Sequence, residues 1–215
     1  MKVKSFMGGY DKNLSYLIWC PDTMLAALID PAVETNPIFE FINNEGLILE
    51  KVLITHSHRD HIQYLDDFIQ QYPMINVYCH KNPVNLSKSF CLLLDHNQVI
   101  TIGKNLLTIL HTPGHFTDSI CIWNKESKML FTGDTVFIGR TGRVVSDTSS
   151  LEQLYDSIYN VILTLPHDTI IFPGHHYGYS REAELNFNIK NSKFFQCNGI
   201  DEFRQVMEDF ERNRK

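Results

Sequence analysis

The chain has 215 residues, of which 43% are hydrophobic, and it contains five cysteines and a formal net charge of −6. A chain of this length buries one good hydrophobic core, so we expect a single domain over residues 1–215. The acidic balance argues against nucleic acid as a partner, and no stretch approaches the roughly 18 apolar residues of a membrane span. The scattered, odd-numbered cysteines and a start without the apolar core of a secretory signal predict reduced thiols and a cytoplasmic location.

Short apolar runs bounded by turn-forming residues predict most of the secondary structure as strands. The predicted strands are residues 3–6, 14–19, 25–30, 51–55, 76–79, 99–102, 105–110, 119–123, 128–132 and 169–172. So many strands bury their apolar faces most simply as two layers that face each other.

Helical spacing of apolar residues and helix start signals predict the remaining elements. Pro37 fits the first turn of a helix that runs to about residue 44. Further helices are predicted at residues 61–71, 83–89 and 201–213. Ser149 and Glu152 have the spacing of a capping box, which predicts the start of a long helix with apolar residues through Leu165.

A dense group of metal-binding residue types follows the predicted strand 51–55. His56, His58, Asp60 and His61 lie within six residues of one another. Imidazole and carboxylate groups suit zinc, iron or manganese. Because His56 and His58 alternate, both can face one metal, while Asp60 and His61, past the turn, can face a second. Solvated histidines in an ordinary polar loop are the alternative interpretation, and four such residues at this spacing argue against it.

Three other candidate ligands also follow short apolar runs. His111 follows residues 106–110, Asp134 follows residues 129–133, and His175 follows residues 169–174. Glycine and Pro-Gly turns at these strand ends let the backbone bend and bring side chains to a shared centre. The pattern predicts a metal site at the rim of a sheet sandwich. Spacing alone does not separate His175 from His176, and His80, His96 and His167 lie in unrelated loops.

Six stretches of the chain carry a resemblance to a known family. They are Leu28-Ile29-Asp30-Pro31, His56-Ser57-His58-Arg59-Asp60-His61, His111-Thr112-Pro113-Gly114-His115, Phe131-Thr132-Gly133-Asp134-Thr135, Gly139-Arg140-Thr141-Gly142-Arg143 and Pro173-Gly174-His175-His176-Tyr177. In this order they resemble the metallo-β-lactamase superfamily, and within it the branch of glyoxalase II and the persulfide dioxygenases. The resemblance implies an α+β fold, a four-layer αββα sandwich.

The resemblance also implies a ligand set for two zinc ions. It assigns His56, His58 and His111 to one ion, and Asp60, His61 and His175 to the other, with Asp134 bridging. It favours His175 over His176, because the family ligand directly follows the glycine. His115, in its Thr-Pro-Gly-His turn, we expect to position a ligand rather than to bind the metal.

The implied activity is that of a metal-dependent hydrolase that cleaves a thioester of glutathione or of a similar small thiol. The nucleophile is a metal-bound hydroxide, and Asp60 is the candidate residue that orients it. Arg143 and Tyr177 occupy positions that contact glutathione in the resembling families, and an arginine can bind a carboxylate through two hydrogen bonds. The alternative is that these two residues lie at the rim and only donate hydrogen bonds to loop carbonyls.

A second activity stays open. About forty residues follow His175, fewer than the extra helical domain of glyoxalase II requires, and residues 194–212 resemble the end of a persulfide dioxygenase. Those enzymes use one Fe²⁺, held by the counterparts of His56, His111 and Asp134, and act on a persulfide such as glutathione persulfide. A metal-bound scaffold without activity is a third interpretation, which the full ligand set disfavours.

Overall fold

Two six-stranded sheets form the centre of the molecule in a computed structural model that describes residues 1–214. The first sheet has the order β1-β2-β3-β4-β5-β6, and the second has the order β14-β13-β10-β9-β8-β7. The strands of the first sheet are β1 (Lys2–Gly8), β2 (Asn13–Trp19), β3 (Leu25–Ile29), β4 (Ile48–Leu53), β5 (Asn76–His80) and β6 (Leu92–Leu94). Those of the second are β7 (Val99–Ile102), β8 (Asn105–His111), β9 (Ile120–Asn124), β10 (Met129–Gly133), β13 (Ile170–Pro173) and β14 (Ala183–Glu184).

Within residues 1–214, a small hairpin, five α-helices, a π-helical turn at Ser157–Val161 and 3₁₀ turns at Ile162–Thr164 and Lys193–Phe195 complete the fold. The hairpin consists of β11 (Val136–Phe137) and β12 (Arg140–Thr141). The helices are α1 (Asn36–Glu45), α2 (Leu65–Gln71), α3 (Leu151–Asp156), α4 (Leu185–Asn191) and α5 (Ile200–Arg212). Within residues 1–214, no helix is long and apolar enough to cross a bilayer.

Three groups of buried side chains fill the spaces between the layers. Tyr16 and Ile18 from the first sheet meet Ile109 and Phe131 from the second in the inter-sheet core. On the outer face of the first sheet, apolar residues of α1 and α2 pack against the strands. On the outer face of the second, α3 and α5 do the same. The predicted four-layer αββα sandwich is therefore confirmed, because each sheet buries one face on the other sheet and one under helices.

The predicted strands agree with the structure to within a few residues, while the helices differ more. Residues 61–64 form turns, so that α2 begins only at Leu65. The predicted helix at residues 83–89 is wrong. There, Val84 N donates to Asp118 and Asn85 N donates to Ser57 Oγ, so side chains elsewhere satisfy the backbone. The cap of α3 is Ser150, whose side chain accepts from Gln153 N, rather than Ser149.

Candidate metal centre

The candidate ligands sit where the two sheets meet at one rim. β4 leads into the segment that carries His56, β10 into Asp134, and β13 into His175. Backbone hydrogen bonds tie the sheets together at this rim: Ile120 N donates to Thr55 O, and Leu14 N donates to Gly174 O, both at 2.8 Å. The strand ends thus converge as the sequence predicts.

A glycine is required where β13 meets this centre. A Cβ atom on Gly174 would lie 2.3 Å from Asp134 Oδ1 and 2.6 Å from His61 Cε1. Such separations are far below van der Waals contact, so any side chain at residue 174 would displace the two candidate ligands. The Pro-Gly sequence before His175 is therefore part of the construction of the site.

Three imidazole rings form the first group of candidate ligands. His56 Nε2 lies 2.9 Å from His58 Nδ1, and His115 Nε2 lies 3.1 Å from the same His58 atom. One nitrogen from each ring can thus reach a single ion. His115 Nδ1 donates to Arg143 O at 3.0 Å, which leaves Nε2 with its lone pair towards the centre.

A second group contains Asp60, His61 and His175. The Nε2 atoms of His61 and His175 are 3.2 Å apart. Asp60 Oδ2 lies 3.3 Å from His175 Nε2 and 3.7 Å from His61 Nε2. The three groups can again share one ion.

Asp134 lies between the two groups. Its Oδ1 atom is 3.3 Å from His61 Nε2, and its Oδ2 atom is 3.3 Å from His175 Nε2 and 3.6 Å from His115 Nε2. One carboxylate therefore faces both groups, which is the arrangement of a bridging ligand.

The sequence-based assignment of His111 as a ligand is wrong. Its ring stacks on His80, with centroids 4.1 Å apart and an interplanar angle of 11°. Its Nε2 atom donates to Thr117 O at 3.0 Å instead of facing the other candidate ligands. His111 is still the last residue of β8, and the chain needs the Thr-Pro-Gly turn to reach the centre. His115, which we expected to act only in support, takes the position assigned to His111.

The structure also shows which of the two adjacent histidines, His175 and His176, faces the metal centre. His175 Nε2 faces Asp60 and Asp134, whereas His176 Nδ1 is buried away from a hydrogen-bonding partner. His176 belongs to none of the metal-binding groups within residues 1–214.

Supporting residues that the sequence argument did not single out hold the rings in place. Asp30, which is 1% exposed, accepts from His61 Nδ1 at 2.8 Å and from Thr55 N at 2.7 Å. His175 Nδ1 donates to Asp11 O at 2.9 Å, and Asn13 Nδ2 donates to Asp60 Oδ2 at 2.9 Å. Asp30 follows an apolar strand as the candidate ligands do, and that pattern was the available signal.

Burial and neighbouring charges divide the site into two electrostatic halves. Burial lowers the pKa of His58 to about 4, with His115 contributing, and burial likewise holds the pKa of His56 well below its ordinary value. Burial alone would also lower the pKa of His175, but Asp134 and Asp60 raise it to about 9. In the same way Asp134 and Asp30 raise the pKa of His61 well above its ordinary value.

The donor set fits a pair of divalent cations. The lowered pKa values of His56 and His58 favour the neutral imidazole, which is the form that binds metals. His56 Nε2 and His58 Nδ1 point towards the same place, where a metal ion can accept both lone pairs. Asp134 Oδ1 is buried and makes no hydrogen bond within the described residues. Histidine and carboxylate ligands suit both zinc and iron, so the set fits either metal.

A cavity of about 350 Å³ opens beside the centre. Asp134, Arg140, Arg143, His175 and Tyr177 are among the residues that line it. The Tyr177 ring stacks on His175, with centroids 4.9 Å apart, and its hydroxyl donates to Asp11 Oδ2 at 2.5 Å. The structure therefore brings both predicted substrate-binding residues, Arg143 and Tyr177, to the wall of one cavity next to the metal centre.

An αββα sandwich with histidine and aspartate ligands at one sheet rim is the architecture of the metallo-β-lactamase fold. The family model described as the metallo-beta-lactamase superfamily matches residues 8–175. The chain belongs to this superfamily.

Known relatives agree with the predicted branch. A probable hydroxyacylglutathione hydrolase of Schizosaccharomyces pombe is 31% identical over 205 residues, which cover 93% of this chain and 77% of the relative. A probable polyketide biosynthesis zinc-dependent hydrolase of Bacillus subtilis is 30% identical over 194 residues, which cover 89% of this chain and 85% of the relative. The crystal structure of ETHE1 from Myxococcus xanthus superposes with a TM-score of 0.88 at 27% identity, covering 100% of this chain and 93% of that one.

Proposed function

We propose that the protein is a metal-dependent hydrolase of glyoxalase II type, which cleaves a thioester of glutathione or of a similar small thiol. The observation that carries the proposal is Asp134 between two groups of three ligand side chains, His56, His58 and His115 on one side and Asp60, His61 and His175 on the other. This set has the number and types of ligands for two zinc ions. The names of the hydroxyacylglutathione hydrolase and zinc-dependent hydrolase relatives support the reaction class and the metal.

Divalent ions bound here would supply a hydroxide at neutral pH and a Lewis acid for the thioester carbonyl. The chain contributes the orientation of the reacting groups. Asp60 has a half-exposed carboxylate beside the cavity, and its pKa is lowered well below its ordinary value because hydrogen bonds from His175 and Asn13 and the charge of His61 outweigh the effect of burial. It is therefore ionised at any physiological pH and is placed to accept a hydrogen bond from an attacking water, and that bond would orient the water.

The substrate-binding roles of Arg143 and Tyr177 stay predictions. Both residues line the cavity. The Tyr177 ring covers His175 and gives an apolar wall for the thiol part of the substrate. Arg143 is already engaged, since Nε and Nη2 each donate to the Glu211 carboxylate at 2.7 Å. A substrate carboxylate that binds Arg143 therefore competes with Glu211 on α5.

An iron-dependent dioxygenase that acts on glutathione persulfide is the second candidate. The likeness to ETHE1 favours it. The structure offers His56, His115 and Asp134 as a set of two histidines and one carboxylate, with His115 in place of His111. Such a set leaves open coordination positions when it holds one Fe²⁺.

Two assays on the same preparation separate the candidates. The first follows hydrolysis of S-lactoylglutathione by the loss of thioester absorbance with the zinc-loaded protein. The second follows oxygen consumption with glutathione persulfide and the iron-loaded protein. Thioester hydrolysis without oxygen consumption supports the proposal, while the reverse result replaces it with the dioxygenase. Inactivity of both metal-replete forms would favour a protein that binds metal without catalysis.

A further inference from the structure

We propose that Arg140 binds a carboxylate of the ligand that occupies the cavity beside the metal centre, and that it thereby selects anionic thiol compounds. The inference rests on the proposed function for the identity of that ligand. It concerns a residue outside the predicted pair Arg143 and Tyr177.

An aromatic cage holds the Arg140 guanidinium at the cavity wall. Its central carbon lies 4.1 Å from the ring centroid of Tyr177, 5.1 Å from that of Phe137 and 5.2 Å from that of Phe210. Ring faces attract a cation but accept no strong hydrogen bond. The cage therefore positions the charge without supplying a strong acceptor for its N–H donors.

No protein acceptor compensates this half-buried cation within residues 1–214. Arg140 Nε is buried without a hydrogen-bonding partner, and none of the ion pairs among these residues includes Arg140. Burial lowers the pKa of Arg140 from its ordinary value, in keeping with a poorly solvated guanidinium. A buried donor without a partner is unfavourable, and more so when it is charged.

The contrast with Arg143 makes Arg140 the better anion site. Arg143 makes a two-pronged ion pair with Glu211, so its charge is already neutralised. Arg140 lines the same cavity, and because its Nε is buried, the two Nη groups are the donors that a ligand there can reach. A planar guanidinium in this state matches a carboxylate through two parallel hydrogen bonds.

The hairpin that carries Arg140 is rigidly mounted. Gly139 has φ 88°, in the region that favours glycine, and forms the turn between Phe137 and Arg140. Asn188, which is fully buried on α4, accepts from Gly139 N and donates to Phe137 O, both at 2.7 Å. The guanidinium is thus placed before the ligand arrives, which reduces the entropy lost on binding.

The position of Arg140 also defines which part of a ligand it would bind. Tyr177 contacts both groups, since its ring centroid lies 4.1 Å from the guanidinium carbon of Arg140 and 4.9 Å from the ring centroid of His175. A group at Arg140 is therefore several bonds away from a group at the metal centre. A compound whose carboxylate is remote from its sulfur, as in glutathione, has the required form.

Equilibrium binding of a matched pair of ligands tests the inference without relying on turnover. The ligands are S-methylglutathione, which keeps both carboxylates, and its diethyl ester, which has neither. Isothermal titration calorimetry measures both with the metal-loaded wild type and with Arg140→Gln, Arg140→Lys, Arg143→Gln and Arg181→Gln. Arg181 is an exposed residue outside the cavity wall, so its variant controls for the change in net charge. Circular dichroism and the metal content of each variant control for folding.

We expect Arg140→Gln to weaken S-methylglutathione binding about tenfold or more and to change diethyl ester binding less than about twofold. Arg140→Lys recovers part of the affinity, and Arg181→Gln retains the affinity of the wild type. The inference is overturned if Arg140→Gln binds the acid as the wild type does, if acid and ester weaken equally, or if Arg143→Gln alone loses acid binding. Failure of the wild type to prefer the acid overturns it as well. If the wild type binds the acid more tightly than the ester, and this preference depends on Arg140, the inference stands even when the protein does not hydrolyse a thioester. The absence of hydrolysis would then contradict the proposed function alone.

Discussion

The Asp30 carboxylate accepts a hydrogen bond of 2.8 Å from His61 Nδ1, and both side chains are buried. This bond fixes the orientation of the His61 ring, so that Nε2 faces Asp134 and His175. Asp30 also accepts from the backbone and the hydroxyl of Thr55, at 2.7 and 2.6 Å, and so anchors the segment that enters the metal centre.

Replacement of this carboxylate is expected to weaken metal binding although Asp30 is not itself a ligand. In Asp30→Asn we expect the affinity for zinc to fall about 10- to 100-fold, because the orientation and basicity of His61 are lost. Competition with a chelator of known affinity measures this. Asp22→Asn, which removes an exposed carboxylate paired with Lys104, is the control and should keep the affinity of the wild type. Equal zinc affinities of Asp30→Asn and the wild type would show that Asp30 serves folding alone.

The exchange of roles between His111 and His115 gives a second prediction. His115→Ala removes one nitrogen from the first ligand group, so we expect the zinc content of the purified protein to fall by about one ion. His111→Ala removes a ring that stacks on His80 outside the centre, and we expect its zinc content to equal that of the wild type. Inductively coupled plasma mass spectrometry on both variants measures the number of zinc ions per chain. Loss of zinc in His111→Ala with retention in His115→Ala would restore the assignment made from the sequence.

These two histidines show where the sequence argument reaches its limit. His111 ends the strand β8 and His115 lies four residues beyond it, so His111 fits the pattern of a ligand directly after an apolar run better than His115 does. The choice depends on the path of the turn at residues 112–114, which carries the chain to the centre. No periodicity in the sequence encodes that path. His56, Asp134 and His175, by contrast, could be predicted because each lies close behind a strand that ends at the shared rim.

Short elements and distant contacts escaped the sequence argument for a related reason. β11 and β12 have two residues each, too few to show an alternating pattern, and yet they carry Arg140. The ion pair between Arg143 and Glu211 joins residues 68 positions apart. The sandwich itself could be predicted from the sequence because its longer strands, such as β2, are clear apolar runs bounded by turn residues.

Asp134 is expected to be the most sensitive position of the metal centre. In Asp134→Ala both ligand groups lose the carboxylate that faces them, and His61 and His175 lose the anion that raises their pKa values. We expect the variant to retain no stoichiometric metal after purification. Asp147→Ala, which changes an exposed residue, controls for the loss of one negative charge. A full metal complement in folded Asp134→Ala would contradict the bridging position.

The stacked pair His80 and His111 predicts a pH dependence of stability that is separate from metal binding. Burial lowers the pKa of His80 to about 4, with His111 contributing, against an ordinary value of about 6.5. Because the folded pKa is depressed, neutral His80 stabilises the fold fully above about pH 6.5. This contribution is lost progressively as the pH falls through about 4.

Comparison with His80→Phe isolates that contribution. Phenylalanine preserves a flat ring against His111 but does not titrate. Between pH 7 and pH 4 we expect the free energy of unfolding of the wild type to fall by about 1–2 kcal/mol more than that of the variant. Urea unfolding of both proteins at each pH measures the difference, in which the pH dependence of metal binding cancels. Parallel pH profiles would show that His80 is not held neutral by the fold.

Metal analysis of the freshly purified, unsupplemented protein, combined with hydrolysis of S-lactoylglutathione by the same sample, tests the central claim most directly. The two ligand groups joined by Asp134 predict about two zinc ions per chain and thioester hydrolysis that a chelator abolishes and added zinc restores. One iron per chain together with no thioester hydrolysis would contradict the account.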